Sequence, residues 1–379
     1  MKLANSKKIK RFEKISKAGK KANTDADIFS WYVVTLEGKE EKISGKFDRE
    51  KGVLKSDNPQ ALEYQENIAR LRADKDIETV EPNFIVTTMN VPNDPYYSST
   101  GSWGQSYPDL WGLKKINMEA AWDQTTGSSS IIVADIDTGV DRNHEDLSSN
   151  MWVNTAETPG NGIDDDGNGY VDDYYGWDFA NNDNDPMDDY GHGTHTAGTI
   201  AAIGNNEVGV VGVNWTSKIM ALKFLNSSGS GATSNAIKAL QYAADMGARI
   251  SSNSWGGNYY STALDDAIKY EHDRNMIIVV ASGNSNADAL NYSPASADYA
   301  ITVAASDPND IKASFSNWGE KIDVAAPGVD VLSTRATTNP MCTSVRTVGT
   351  NYCRVSGTSS YKEYFVKLVF LKSAVSKRV

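Results

Sequence analysis

Residues 131–147 read Ile-Ile-Val-Ala-Asp-Ile-Asp-Thr-Gly-Val-Asp-Arg-Asn-His-Glu-Asp-Leu. A short apolar, β-branched run ends at Asp137, just before the turn residue Gly139. Such a run, bounded by a turn signal, predicts a buried strand. The same texture returns in KIMALKFL (218–225), RISSNSW (249–255), MIIVVASGN (276–284), AITVAAS (300–306) and KIDVAAPG (321–328). Helical patterns fall between several of these runs, at 192–203, 232–247 and 261–274. Strands alternating with helices predict an α/β fold whose parallel central sheet is covered on both faces. In such sheets functional groups gather at the carboxyl ends of the strands, where Asp137 and Asn284 stand.

The chain has 379 residues, 40% of them apolar, enough for one large domain and a small one. Its formal charge of −12 disfavours nucleic acid as a partner. No stretch approaches the roughly 20 apolar residues of a membrane span. The charge is uneven: residues 1–21 hold nine Lys or Arg and one Glu, whereas 137–189 hold fifteen Asp or Glu and one Arg. The acidic stretch reads either as a solvated loop or as cation sites. Cys342 and Cys353 leave a single bridge and two free thiols equally open.

Residues 1–26 read as a basic leader without the apolar core of a complete secretory signal. Strand patterns at 28–36, 40–47 and 52–56, a helical pattern at 60–74 and a strand pattern at 77–89 then predict a small α+β unit. Residues 91–109, rich in Pro, Gly and Ser, read as a linker.

Four short motifs carry the chemistry: Asp137-Thr138-Gly139, Gly191-His192-Gly193-Thr194-His195, Ser282-Gly283-Asn284 and Gly357-Thr358-Ser359. Each alone is weak. The two histidines lack the further ligands of a zinc site. Taken with SSNSWGG, FSNWG, DVAAPGVDVLST and VSGTS, however, the chain resembles the subtilisin-like serine proteases, or subtilases, over about residues 28–359. That resemblance implies a subtilisin-like three-layer fold with a parallel central sheet. It implies Ser359 as nucleophile, His192 as general base, Asp137 as the carboxylate that orients the imidazole, and Asn284 as an oxyanion donor. His195 is expected to be structural. Ser254, Trp255, Gly256 and Gly257 match the edge on which a substrate backbone adds as a strand, with Trp255 favouring apolar or aromatic side chains.

The thermitase-like branch of the family implies two calcium sites. One comprises Asp94, Asp146, the side chain of Asn206 and the carbonyls of Ile203, Val208 and Val210. The other comprises Asp178, Asp183, Asp185 and the Met187 carbonyl. Independently, Asp164, Asp166, Asn168 and Gly169 follow the start of an EF-hand-like loop, with Asp172 at the ninth position. The twelfth position is Tyr175, so the bidentate Glu is missing.

Residues 27–90 resemble a ferredoxin-like inhibitory propeptide, and 91–359 the catalytic domain. The tail 360–379 departs from the family pattern, as a truncated or frameshifted end would. The resemblance implies a secreted, monomeric serine endopeptidase made as a zymogen, with protein or peptide substrates and its own propeptide as inhibitor. The contrasting expectation is a calcium-binding homologue that binds peptides without cutting them. An intracellular subtilase is a third.

Overall fold

The computed structural model describes residues 9–14, 32–36, 46–48, 53–55, 66, 68–73, 80, 90–338 and 340–358. Ser359, the tail after it and nearly all of the strand pattern at 77–89 lie outside them. The chain divides into two compact units, Met1–Thr88 and Met89–Val379.

In the first unit β1 (Ile9–Lys14) pairs antiparallel with β2 (Tyr32–Leu36), and β3 (Lys46–Asp48) with β4 (Val53–Lys55). Residues 68–72 are helical. The expected basic leader therefore contains a strand. Main-chain bonds to the β-branched and aromatic β2 supply a partner that the charged composition of 9–14 does not advertise.

The second unit opens with three short helices, α1 (Pro95–Ser98), α2 (Trp111–Lys115) and α3 (Met118–Trp122). The stretch expected to be a linker is in fact packed. Tyr97 is buried against Trp122, with ring centroids 5.5 Å apart, and donates its hydroxyl to Glu119 at 2.8 Å. Turn-forming residues set the path of this segment, while its aromatic side chains are drawn into the core.

A seven-stranded sheet follows, built from β5 (Ile132–Asp137), β6 (Gly176–Asp178), β7 (Lys218–Lys223), β8 (Ile250–Asn253), β9 (Ile277–Ala281), β10 (Ala300–Ser306) and β11 (Val324–Pro327). Its order is β11-β10-β9-β8-β5-β7-β6, every pair parallel. Alternate residues face opposite sides. Val133, Ile219, Ala221 and Val279 pack with α4 (His192–Ala201). Ala134, Ile136, Met220, Leu222 and Val280 pack with α5 (Thr233–Asp245) and α6 (Thr262–Asp273). The three-layer α/β architecture thus follows from near-continuous apolar strands that bury both faces.

A smaller antiparallel sheet, in the order β12 (Val331–Thr334), β14 (Tyr352–Val355), β13 (Thr347–Val348), backs α4. A Cβ at Gly198 would overlap Thr334 Oγ1, so only glycine lets the helix lie this close. Cys342 and Cys353 are joined in a disulfide, which answers the question the sequence left open.

Trp122 is 1% exposed, donates its indole N–H to the Val213 carbonyl at 3.0 Å and stacks at a tilt on Trp215. Trp122→Ala should cost about 3–5 kcal/mol through the cavity and the orphaned carbonyl. A chemical-denaturation curve shifted by less than 1 kcal/mol would contradict this placement.

Candidate active site

Asp137 ends β5 fully buried, and His192 opens α4 with its side chain 18% exposed. His192 Nδ1 lies 2.7 and 2.9 Å from the two oxygens of Asp137. The backbone N–H of Thr138 also donates to Asp137 Oδ1 at 2.7 Å, fixing the carboxylate on its own turn. Strand parity explains why these groups meet. Val133, Asp135 and Asp137 share the face covered by α4, and Thr196 Oγ1 donates to Asp135 at 3.0 Å, one helical turn beyond His192. Four helical residues rise about 6 Å and two strand residues about 6.6 Å, so both pairs stay in register. Gly193 permits the approach, since a Cβ there would overlap the Gly139 carbonyl oxygen.

Asp188 holds the turn into the helix. Its Oδ1 accepts from Thr138 Oγ1 (2.9 Å) and from the N–H groups of Tyr190 (3.0 Å) and Gly191 (2.7 Å). Its Oδ2 accepts from the N–H and hydroxyl of Thr194 at 2.8 and 2.7 Å. Burial pushes the Asp188 carboxyl up, against these donors, which stabilise its charge. Asp188 lies outside the four short motifs, and its signal in the sequence is a carboxylate ahead of a helical run, a capping signature.

Asn284 follows Gly283 past the end of β9, and its Oδ1 accepts the Thr358 N–H at 2.8 Å. Thr358 Oγ1 in turn accepts the Gly283 N–H at 3.2 Å. Asn317, from the FSNWG motif, shapes this loop by donating to the Ser282 carbonyl and accepting from the N–H groups of Ser285 and Ala287. Three of the four chemical groups named from sequence are therefore placed, with the segment leading to the fourth.

A cleft of about 420 Å³ opens beside His192. Ser254, Trp255 and Gly256 form one wall, while Gly257 packs under the Tyr259 ring. Gly229, Ser230 and Gly231 form another wall, and Tyr190 and Phe224 add aromatic faces. Neither the Gly229–Gly231 segment nor Tyr190 was singled out from sequence. The Gly-Ser-Gly run between a strand and a helix was the available clue.

The acidic residues sort into three groups. Asp94 and Asp146 are buried near Asn206, Val208 and Val210. Asp146 accepts from Asn206 Nδ2 (2.8 Å), the Val210 N–H (3.0 Å) and the Tyr352 hydroxyl (3.0 Å), while Asp94 Oδ2 accepts the Asn205 N–H at 2.7 Å. The Ile203 N–H is bonded to the Asp146 carbonyl at 2.8 Å. Asp94 Oδ1 is buried with no hydrogen-bond partner among the described residues. Burial pushes both carboxyls up, Asp146 to about 6.

In the second group Asp178 and Asp183 are bridged backbone to backbone, each N–H donating to the other's carbonyl. The Asp178 carboxylate caps the N–H groups of Ala180 and Asn181, Asp183 accepts from the Asp185 N–H, Asp185 pairs with Arg142 at 2.6 Å, and the Met187 carbonyl lies against Gly139. In the third group Glu157, Asp164 and Asp166 bring oxygens within 4.8 Å of one another, the one such carboxylate cluster among the described residues. Glu157 comes from upstream of the loop and accepts the N–H groups of Asp165, Asp166 and Asp172. Asn168 Nδ2 turns to Asp173, and Asp172 turns back to accept the N–H groups of Asn161 and Gly162.

A sequence profile described as the subtilase family matches residues 128–360. Thermitase of Thermoactinomyces vulgaris is 37% identical over 71% of this chain and 80% of that protein. A thermophilic serine proteinase from Bacillus sp. (strain AK1) is 34% identical over 87% of this chain and 69% of its own length. Among solved structures, a cold adapted subtilisin-like serine proteinase superposes with a TM-score of 0.51 at 28% identity, covering 70% of this chain and 85% of that one.

His195, fully buried, lies 3.1 Å through Nε2 from the carbonyls of Val331 and Cys353. Burial first, and the neighbouring His192 second, pull it down to about 4. An unfolded-chain histidine titrates near 6.5. Between those values the unfolded chain holds a proton that the folded chain lacks, so stability present above pH 6.5 falls as the pH drops towards about 4. The loss is about 3 kcal/mol. Urea midpoints measured across this range should show it, and His195→Gln should flatten the slope. An unchanged slope in the variant would remove His195 as its source.

Proposed function

The chain belongs to the subtilase family and is a serine-type endopeptidase, and we propose that it cuts through Asp137, His192 and Ser359 with Asn284 as oxyanion donor. The observation that carries this reading is the contact of His192 Nδ1 with both oxygens of a fully buried Asp137. It fixes the tautomer and leaves Nε2 to take the proton from the Ser359 hydroxyl and return it to the leaving amine. Asp137 then stabilises the imidazolium. The bond from the Thr358 N–H to Asn284 Oδ1 commits the carbonyl end of that amide, leaving its N–H₂ for the tetrahedral oxyanion together with the N–H of Ser359.

A peptide substrate lies along Ser254-Trp255-Gly256-Gly257, and the aromatic walls favour apolar or aromatic side chains. Calcium fits the Asp94 and Asp146 site, held by those carboxylates, Asn206 Oδ1 and the carbonyls of Ile203, Val208 and Val210. The partnerless buried oxygen of Asp94 supports this, because an ionised oxygen without a donor calls for a cation. A bound ion would offset the charge of these two buried carboxylates, and residue 94 and the 203–210 loop would share it as ligands. The Glu157, Asp164 and Asp166 cluster is a second candidate for the same ion. Secretion as a zymogen, with residues 27–90 as an inhibitory propeptide, completes the reading.

A fluorophosphonate probe should label the chain. Ser359→Ala should abolish labelling, and His192→Ala should reduce its rate by a factor on the order of 10³ or more. A folded chain that never labels points instead to a peptide binder. Excess chelator should lower the melting temperature, because calcium at a hundredfold over its Kd adds about 2.7 kcal/mol, and Asp94→Asn should shrink that shift. A melting curve indifferent to chelator would sink the calcium reading.

A further inference from the structure

Lys223 ends β7 with its side chain 1% exposed, an unusual position for an ammonium group. Its neighbours along the strand, Met220 and Leu222, are buried and apolar. An apolar residue of similar volume would fill this position without a desolvation cost, so the charge calls for an explanation. The ammonium has three N–H donors, and three acceptors surround it: the Thr138 carbonyl at 3.0 Å, the Leu225 carbonyl at 2.7 Å and Asp189 Oδ1 at 2.7 Å.

Those acceptors come from three parts of the site. Thr138 directly follows Asp137 and, through its hydroxyl, accepts the Gly193 N–H at 2.8 Å. Leu225 lines the cleft. Asp189 lies three residues before His192. Lys223 is also the sheet partner of Asp137, whose carbonyl accepts the N–H groups of Phe224 and Leu225 at 3.0 and 3.2 Å. Two carbonyls turned towards one point repel each other unless a donor lies between them. A buried ammonium supplies that donor, with charge-assisted bonds stronger than neutral ones.

We propose that Lys223 is a positioning residue: it clamps the backbone after Asp137 to the cleft wall and to the segment entering His192, so that the Asp137–His192 pair and the bound peptide share one frame. Asp189 is 39% exposed, so its ion pair is the solvent-screened part of this arrangement and the two carbonyl bonds carry it. The inference rests on the triad reading above.

The test is steady-state kinetics of the full chain, with functioning sites counted by fluorophosphonate titration so that loss of folded protein does not register as loss of rate. Lys223→Met, which keeps the volume and removes the donors, should lower kcat per titrated site by about tenfold or more and raise KM, since displacements on the order of 1 Å cost up to about a hundredfold. Asp189→Asn should cost distinctly less. Wild-type kcat and KM in Lys223→Met, even with a lower melting temperature, would reduce Lys223 to a fold-stabilising residue and overturn the proposal. So would equal losses in the two variants, which would credit the ion pair alone. Should the methionine variant not fold, Lys223→Gln retains an N–H donor; a smaller loss in kcat is then expected, and unchanged constants overturn the proposal. A wild-type chain that takes no label removes the triad reading and this inference together, whereas a labelled wild type beside an unaffected variant removes only the inference.

Discussion

The contact between Asp137 and His192 exists because a strand and a helix keep step. Two residues of β5 and one turn of α4 advance by nearly the same distance, so Asp137 meets His192 while Asp135 meets Thr196. The remaining local features protect that register. Gly193 lets the helix approach, Gly198 lets the same helix settle on β12, and Asp188 gathers five donors at the turn between strand and helix. A side chain at either glycine would move the helix by more than the site tolerates.

Buried charge is the second theme. Asp135, Asp137, Asp146, Asp178, Asp188 and Lys223 are all almost inaccessible to water. The carboxylates are surrounded by backbone N–H groups and hydroxyls rather than by opposite charges alone. Such donors are fixed by the fold and do not reorganise when charge moves, which suits the proton transfer proposed for His192. Asp94 differs from these: no donor among the described residues reaches its Oδ1.

The alternation of apolar runs with helical patterns in the sequence corresponds closely to the sheet and to the three long helices. That pattern is legible because both faces of each strand are buried and the runs are continuous. Asp137, His192 and Asn284 were legible from their flanking residues. Residues whose role depends on partners distant in sequence were not. Glu157 joins its cluster by folding back over the loop, Tyr352 reaches Asp146 from another sheet, and Lys223 reads as the polar end of an apolar strand. The 91–109 segment reads as a linker because it is rich in Pro, Gly and Ser, although the buried Tyr97 and Asp94 decide where it packs.

The all-parallel order of the sheet has a kinetic corollary. Val133 pairs with Ile219 and with Ile250, so the central strand gains its neighbours only after long intervening segments have been drawn together. No hairpin within this sheet can form early and guide the rest. Folding that must close such large loops before any contact rewards them is slow. The same nonlocal wiring hinders local opening, because a strand clamped between two partners cannot peel away alone. For a proteolytic enzyme, which meets at least other copies of itself, persistence is governed by how rarely it opens rather than by its equilibrium stability alone.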